Sequence, residues 1–170
     1  MALRDRHRGD GQPPRRYQMR EKLLSIGDDY WVEDESGQRV FKVNGKAFHV
    51  RKTFVLEDPS GHEVAKIQER MLTVRDKMYI DLDGRDITVH KRLIGIRDHY
   101  KIDIEDGPDL TAHGNFVDHE YKIEQDGDTV ATVSKSWFRV RETYGVEIAA
   151  DQNDALMLAI TVCLDEMTRG

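Results

Sequence analysis

The sequence predicts a mainly β domain, an antiparallel barrel of about twelve short strands enclosing a C-terminal apolar helix. Three observations predict it. Apolar residues alternate with polar ones over most of the chain, turn signatures recur at near-equal spacing, and the chain ends in a segment that is apolar on every side. At 170 residues the chain fits one domain, long enough to bury a core without a disulfide or metal staple.

Residues 1–16 carry no hydrophobic periodicity and contain Gly9, Gly11, Pro13 and Pro14. They read as a disordered basic tail, with the domain occupying 17–170. Five arginines against two aspartates give this tail +3, which leaves −9 on the rest of a chain of net charge −6.

From Tyr17 to about Ala149 the period is two. Met78, Ile80 and Leu82 alternate with polar neighbours, as do Tyr100, Ile102 and Ile104, and as do Phe138 and Val140. Strands buried on one face read this way. Trp31, Phe41, Phe48 and Phe54 read as barrel packing. Turns close at Gly37 and Gly61 (Asp-x-Ser-Gly) and at Gly84, Gly107 and Gly127 (Asp-Gly), at intervals of 24, 23, 23 and 20 residues. Asp-Gly between alternating runs signals a type I′ hairpin, whose two central residues both need positive φ. Each interval holds two strands and a second, less marked reversal.

The terminal helix is predicted over about 152–168, capped by Asp151 or Asp154. Ala155–Leu164 is apolar save Thr161, and such a helix is stable in water only as a core. The run falls short of the roughly 20 residues that span a bilayer, and no apolar stretch follows the early arginines as a signal peptide requires. Cys163 is the single cysteine, in keeping with a reducing, cytoplasmic setting.

Residues Tyr30–Lys46 resemble the opening repeat of LURP-one-related proteins, with Val32, Asp34, Gly37, Val40, Phe41, Val43 and Gly45 in register. Leu56, Asp58 and Gly61 resemble the second turn of that family, and the apolar terminal helix is similar too. The resemblance covers about residues 17–168. It implies a tubby-like barrel of about twelve strands around a central helix, akin to tubby domains and phospholipid scramblases. Tubby domains bind phosphoinositides through basic surface residues, but their lipid motif maps onto no particular positions here, so no ligand residue carries over. The resemblance implies no enzymatic reaction.

The residues themselves point the same way. Cys163 lies in the apolar run, where a thiol is structural. There is no Gly-x-Ser-x-Gly elbow and no glycine-rich phosphate loop. The histidines form no ligand pair, and the acidic turns at Gly84 and Gly107 fail the calcium-loop pattern because Tyr79 and Ile102 fall at its first position. No cofactor or metal is expected. An acidic body argues against nucleic acid as a partner.

One positive feature stands out. If Lys135–Arg141 is a strand, Lys135, Trp137, Arg139 and Arg141 share one face, and Ser136, Phe138 and Val140 the other. Three cations beside a Trp suit phosphates or anionic headgroups. The bland alternative is a solvated outer face with Trp137 covering a strand edge. The expected function is a non-enzymatic binding or scaffold module for a protein or an anionic phospholipid surface, cytoplasmic or peripheral at a membrane. An enzyme at one barrel mouth, built from groups such as His90, His99, Asp118 and His119, is the rival from another class. Weak nucleic-acid binding is a third.

If the helix is core, truncating Leu158 or Ile160 to Ala costs on the order of 2–5 kcal/mol in denaturant unfolding. A cost under about 0.5 kcal/mol for both is the surface result, the level typical of exposed substitutions.

Overall fold

The computed structural model describes residues 11–21, 29–45, 52–69, 77–94 and 97–169. The strands are β1 (Arg15–Arg20), β2 (Asp29–Asp34), β3 (Arg39–Gly45), β4 (Thr53–Glu57), β5 (Glu63–Glu69), β6 (Lys77–Leu82), β7 (Arg85–Ile94), β8 (Arg97–Ile104), β9 (Leu110–Asn115), β10 (Glu120–Gln125), β11 (Asp128–Ser134) and β12 (Thr143–Ile148), followed by helix α1 (Asp154–Arg169). Every strand pairs antiparallel with its sequence neighbour, and β1 pairs with β12 to close a twelve-stranded barrel.

The alternation that predicts the strands is the alternation that builds the core. Met78, Ile80, Leu82, Tyr100, Ile102 and Ile104 are all buried, in one cluster with Leu156–Ile160 and Val162–Leu164 of α1. Phe54 is buried and Phe41 packs against this cluster. Trp31 does otherwise. It sits one residue out of phase with the buried Val32, half-exposed, with Arg39 at 5.3 Å and Lys42 at 5.7 Å from its ring centre. Phe48 lies outside the described residues.

Because the strands run up and down, all five glycine turns gather at one end of the barrel. Gly37 and Gly61 close matched turns. Asp34 Oδ1 accepts from Ser36 N, Ser36 Oγ and Gln38 N, and Asp58 Oδ1 accepts from Ser60 N, Ser60 Oγ and His62 N. Those bonds, the Ser hydroxyl first, hold both carboxyls below their ordinary range. Asp83-Gly84 and Asp126-Gly127 have positive φ at both residues, as a type I′ turn demands. The turn at Gly107 differs from expectation. Only Asp106 has positive φ there, and glycine is required because a Cβ would lie 2.8 Å from Ile104 Cγ2.

Helix α1 starts at this turn end. Asn153, rather than Asp151 or Asp154, is its cap, accepting from Leu156 N at 2.9 Å. The Asp154 carboxylate is taken instead by Arg15 at 2.6 Å and by the Tyr17 hydroxyl. Arg15 also donates to the Ala150 and Gln152 carbonyls. Thus Arg15 and Arg16, read from sequence as the end of a disordered tail, belong to β1, and Arg15 clasps the first strand to the start of the helix. Residues 1–10 lie outside the described residues.

Burial, with the Asp154 carboxylate beside it, pushes the Tyr17 hydroxyl from 10.0 up to about 12. The folded protein therefore holds a proton that the unfolded chain releases near pH 10. This contribution to stability is complete below about pH 10 and is lost as pH rises toward 12. Denaturant midpoints measured between pH 8 and pH 12 are expected to fall over that window, and to fall less in Tyr17→Phe.

Candidate functional site at the loop end

The opposite end of the barrel carries the longer connections and the C-terminal end of α1. Two of these connections are described in full, β9–β10 (residues 116–119) and β11–β12 (residues 135–142). The others fall wholly or largely outside the described residues.

The segment Lys135–Arg141 is not a strand. β11 ends at Ser134, β12 begins at Thr143, and the residues between form a loop. The reason lies in Gly145 of β12. A Cβ there would meet Trp137 Cε3 at 2.7 Å and the Phe138 ring at 3.0 Å. Both aromatic rings therefore fold back over the bare glycine, and consecutive residues pack the same way, which a strand cannot do. Arg16 lies over the Trp137 ring at 4.8 Å and pairs with Glu147 at 2.7 Å, clamping the ring from its other face.

Polar bonds fix the rest of the loop. Glu120 Oε1 accepts from Ser134 Oγ at 3.1 Å and from Lys135 N at 3.0 Å, which ties β11–β12 to the start of β10. Thr143 Oγ1 donates to the Val140 carbonyl at 2.7 Å. Lys135 Nζ pairs with Glu21 at 2.6 Å. Arg139 and Arg141 are exposed, and among the described residues neither forms an ion pair. Of the four residues expected on one face, then, two are engaged by the protein itself and two are exposed without an ion pair among the described residues.

Beneath the loop lies a buried polar relay. His119 stacks on Tyr144 with ring centres 4.2 Å apart. Its Nε2 lies 3.2 Å from Asp165 Oδ1 of α1, while the Tyr144 hydroxyl donates to Asp165 Oδ2. His119 Nδ1 faces Glu21 at 4.0 Å and has no hydrogen-bond partner. The Tyr121 hydroxyl also has none. It lies near Thr161, whose own hydroxyl donates to the Met157 carbonyl. Burial, and next the Asp165 charge, push the Tyr121 and Tyr144 hydroxyls well above their ordinary range. Lys52 pairs with the buried Glu166, and the Tyr100 and Thr168 hydroxyls meet at 3.3 Å. These contacts anchor the end of α1 as Arg15 anchors its start.

The other groups weighed for an enzyme do not join His119. His90 pairs with Asp103 at 2.9 Å, His99 stands opposite His113 in the β8–β9 ladder, and Asp118 bonds Asn115 at 2.7 Å. What the arrangement at His119 does is hold a helix end. His119 stacks against Tyr144 and is buried.

Sequence reasoning missed Glu21, Glu120 and Asp165, whose partners are far along the chain. It also missed Val117. Among the described residues only two large hydrophobic side chains are exposed, Val117 at 72% and Val140 at 54%, one on each of the two described loops.

The sequence profile of the LURP-one-related family matches residues 15–165, from the first strand to the relay on α1. The chain belongs to the LURP-one-related family. It is similar to the uncharacterized protein YxjI of Bacillus subtilis (strain 168), at 23% identity over 148 residues, covering 86% of this chain and 90% of YxjI. Among solved structures it is similar to the X-ray structure of an Arabidopsis thaliana protein, with a TM-score of 0.60 and 16% identity, covering 92% of this chain and 93% of that one. At that identity the likeness speaks for the fold alone, and it covers the barrel and helix together.

Gly145→Ala tests the packing of the loop. The added methyl has backbone on one side and two rings on the other, so a cost of about 1–3 kcal/mol is expected, with a change in Trp fluorescence as Trp137 lifts. Unchanged fluorescence and stability would show that the rings do not rest on Gly145.

Proposed function

We propose that this protein is a non-enzymatic binding module whose loop end recognises an anionic lipid surface. The observation that carries the reading is the state of Arg139 and Arg141, two exposed guanidiniums with no acidic partner among the described residues. They stand on a loop that its own contacts hold in place through Glu120, Thr143 and Gly145. A fixed loop with free cations loses little conformational freedom on binding, so each charge acts at nearly full effect. Lys135 and Trp137 support the loop from within, Lys135 through Glu21 and Trp137 through Arg16. In this reading they position the two arginines rather than touch the ligand first.

The reading includes a tubby-like, scramblase-like architecture with α1 running through the barrel interior. In its support, every residue from Leu156 to Leu164 is buried, the helix lies against β5, β6, β7 and β12, and its two ends are tied at opposite ends of the barrel. A helix so placed leaves the rim and outer wall as binding surface. No described helix is long and apolar enough to cross a membrane, and a peripheral cytoplasmic role is the one this reading assigns.

Co-sedimentation with phosphatidylserine vesicles tests it. Binding is expected at low salt and is expected to weaken as the Debye length shortens from about 10 Å at 0.1 M to about 3 Å at 1 M. Arg139→Gln with Arg141→Gln is expected to reduce binding several-fold while changing stability by under about 0.5 kcal/mol. An intact protein that stays in the supernatant at low salt rejects a lipid ligand in favour of a protein partner.

A further inference from the structure

The two exposed valines add a direction to this surface. Val117 and Val140 occupy different loops, yet the loops are neighbours, because β10 pairs with both β9 and β11. Glu120 bonds the end of one to the start of the other, and His119 of the first stacks on Tyr144 beside the second. The valines therefore stand on neighbouring loops of one rim. An exposed apolar side chain that has no packing role, on a loop otherwise fixed by hydrogen bonds, is unexplained by the stability of the fold.

Charge is distributed along the same axis. The turn end carries Asp34, Glu35, Asp58, Asp83, Glu105, Asp106, Asp126 and Asp128. At the loop end three acids are paired with lysines within the protein, Glu21 with Lys135, Glu166 with Lys52 and Asp98 with Lys91. Asp118 bonds the Asn115 amide, and Glu120 bonds Ser134 and the Lys135 backbone, so neither is paired with a cation among the described residues, and both stand with Glu142 as exposed acids on the two loops. Helix α1 has 16 residues, so the two ends stand about 24 Å apart. That is more than two Debye lengths at 0.1 M salt, where one length is about 10 Å. An anionic surface at the loop end is screened from the acidic turns. Two arginines opposed by these acids do not hold such a surface by charge alone, so a lasting contact needs an apolar contribution.

We infer that the barrel meets an anionic bilayer end-on, with Val117 and Val140 entering the boundary between headgroups and acyl chains while Arg139 and Arg141 rest on the headgroups. This rests on the lipid reading above and adds to it an orientation and a second kind of contact.

The experiment uses the full chain with phosphatidylcholine vesicles, with and without phosphatidylserine. Val117→Ser with Val140→Ser removes the apolar tips without changing charge, and is expected to weaken binding to the anionic vesicles about tenfold at unchanged melting temperature. Because Cys163 is buried, Val140→Cys can be labelled selectively with an environment-sensitive dye. Its emission is expected to shift to the blue on anionic vesicles, and that of a dye on Asp83→Cys at the turn end is not. If the wild type binds but the valine variant binds equally and the dye at 140 stays in water, end-on insertion is overturned and the lipid reading stands. If a dye at 83 shifts instead, the orientation is reversed and the inference falls. If the wild type fails to bind anionic vesicles at low salt, both readings fall together.

Discussion

The fold answers to one requirement, that the apolar run Leu156–Leu164 of α1 be kept from water. Leu156–Leu164 are buried in unbroken succession, and their apolar members share one core cluster with side chains of the strands. The strands supply inward side chains from all round the barrel, among them Met19, Val32, Leu56, Ile67, Ile80, Val89, Ile102, Ile123 and Val146. The one polar residue in the run, Thr161, keeps its hydroxyl satisfied by donating to the Met157 carbonyl four residues back. Cys163 shares this environment, and burial pushes its thiol up, away from the thiolate that reactive chemistry requires.

Polar residues appear where the helix leaves the apolar zone, and the two ends differ. Arg15 and Tyr17 fasten its start among tight hairpins that their own Asp side chains stabilise. At its finish Asp165 and Glu166 accept His119, Tyr144 and Lys52 from three separate connections or strands. Tight turns have little freedom to vary, whereas the longer loops are pinned at a few points and present side chains between them. The proposed function puts recognition at the loop end on this ground, as rigid scaffolds elsewhere carry function on their loops.

Much of the fold was legible because its causes are local. Period-two burial and Asp-Gly turns operate within a few residues, and an all-round apolar helix advertises its own burial. Legibility failed where two local rules agreed and a distant residue overruled them. Lys-Ser-Trp-Phe-Arg-Val-Arg alternates well enough for a strand, but the absent side chain at Gly145 makes a seat that both rings occupy. Trp31 looked like core and is an outer-face residue under Arg39 and Lys42. Asp151 and Asp154 looked like caps, but Asn153 caps while Asp154 serves Arg15, 139 residues away. Of the site, the cations could be read from sequence. The capture of Lys135 by Glu21 could not, since that pair joins the end of β1 to the β11–β12 loop, which only the closed barrel brings together. Val117, a single valine in a turn without glycine, gave no signal at all.

Barrel closure also sets an order of assembly. The first strand pairs with the twelfth, and the helix that fills out the core follows both. During synthesis at about 5–20 residues per second, β1 waits on the order of ten seconds for its partner to emerge. Until then the growing sheet has two free edges and an apolar face with nothing against it, the features that invite association between chains. A chain terminated ahead of α1 keeps both closing strands but leaves the strand side chains of the core cluster without the helix side chains they pack against.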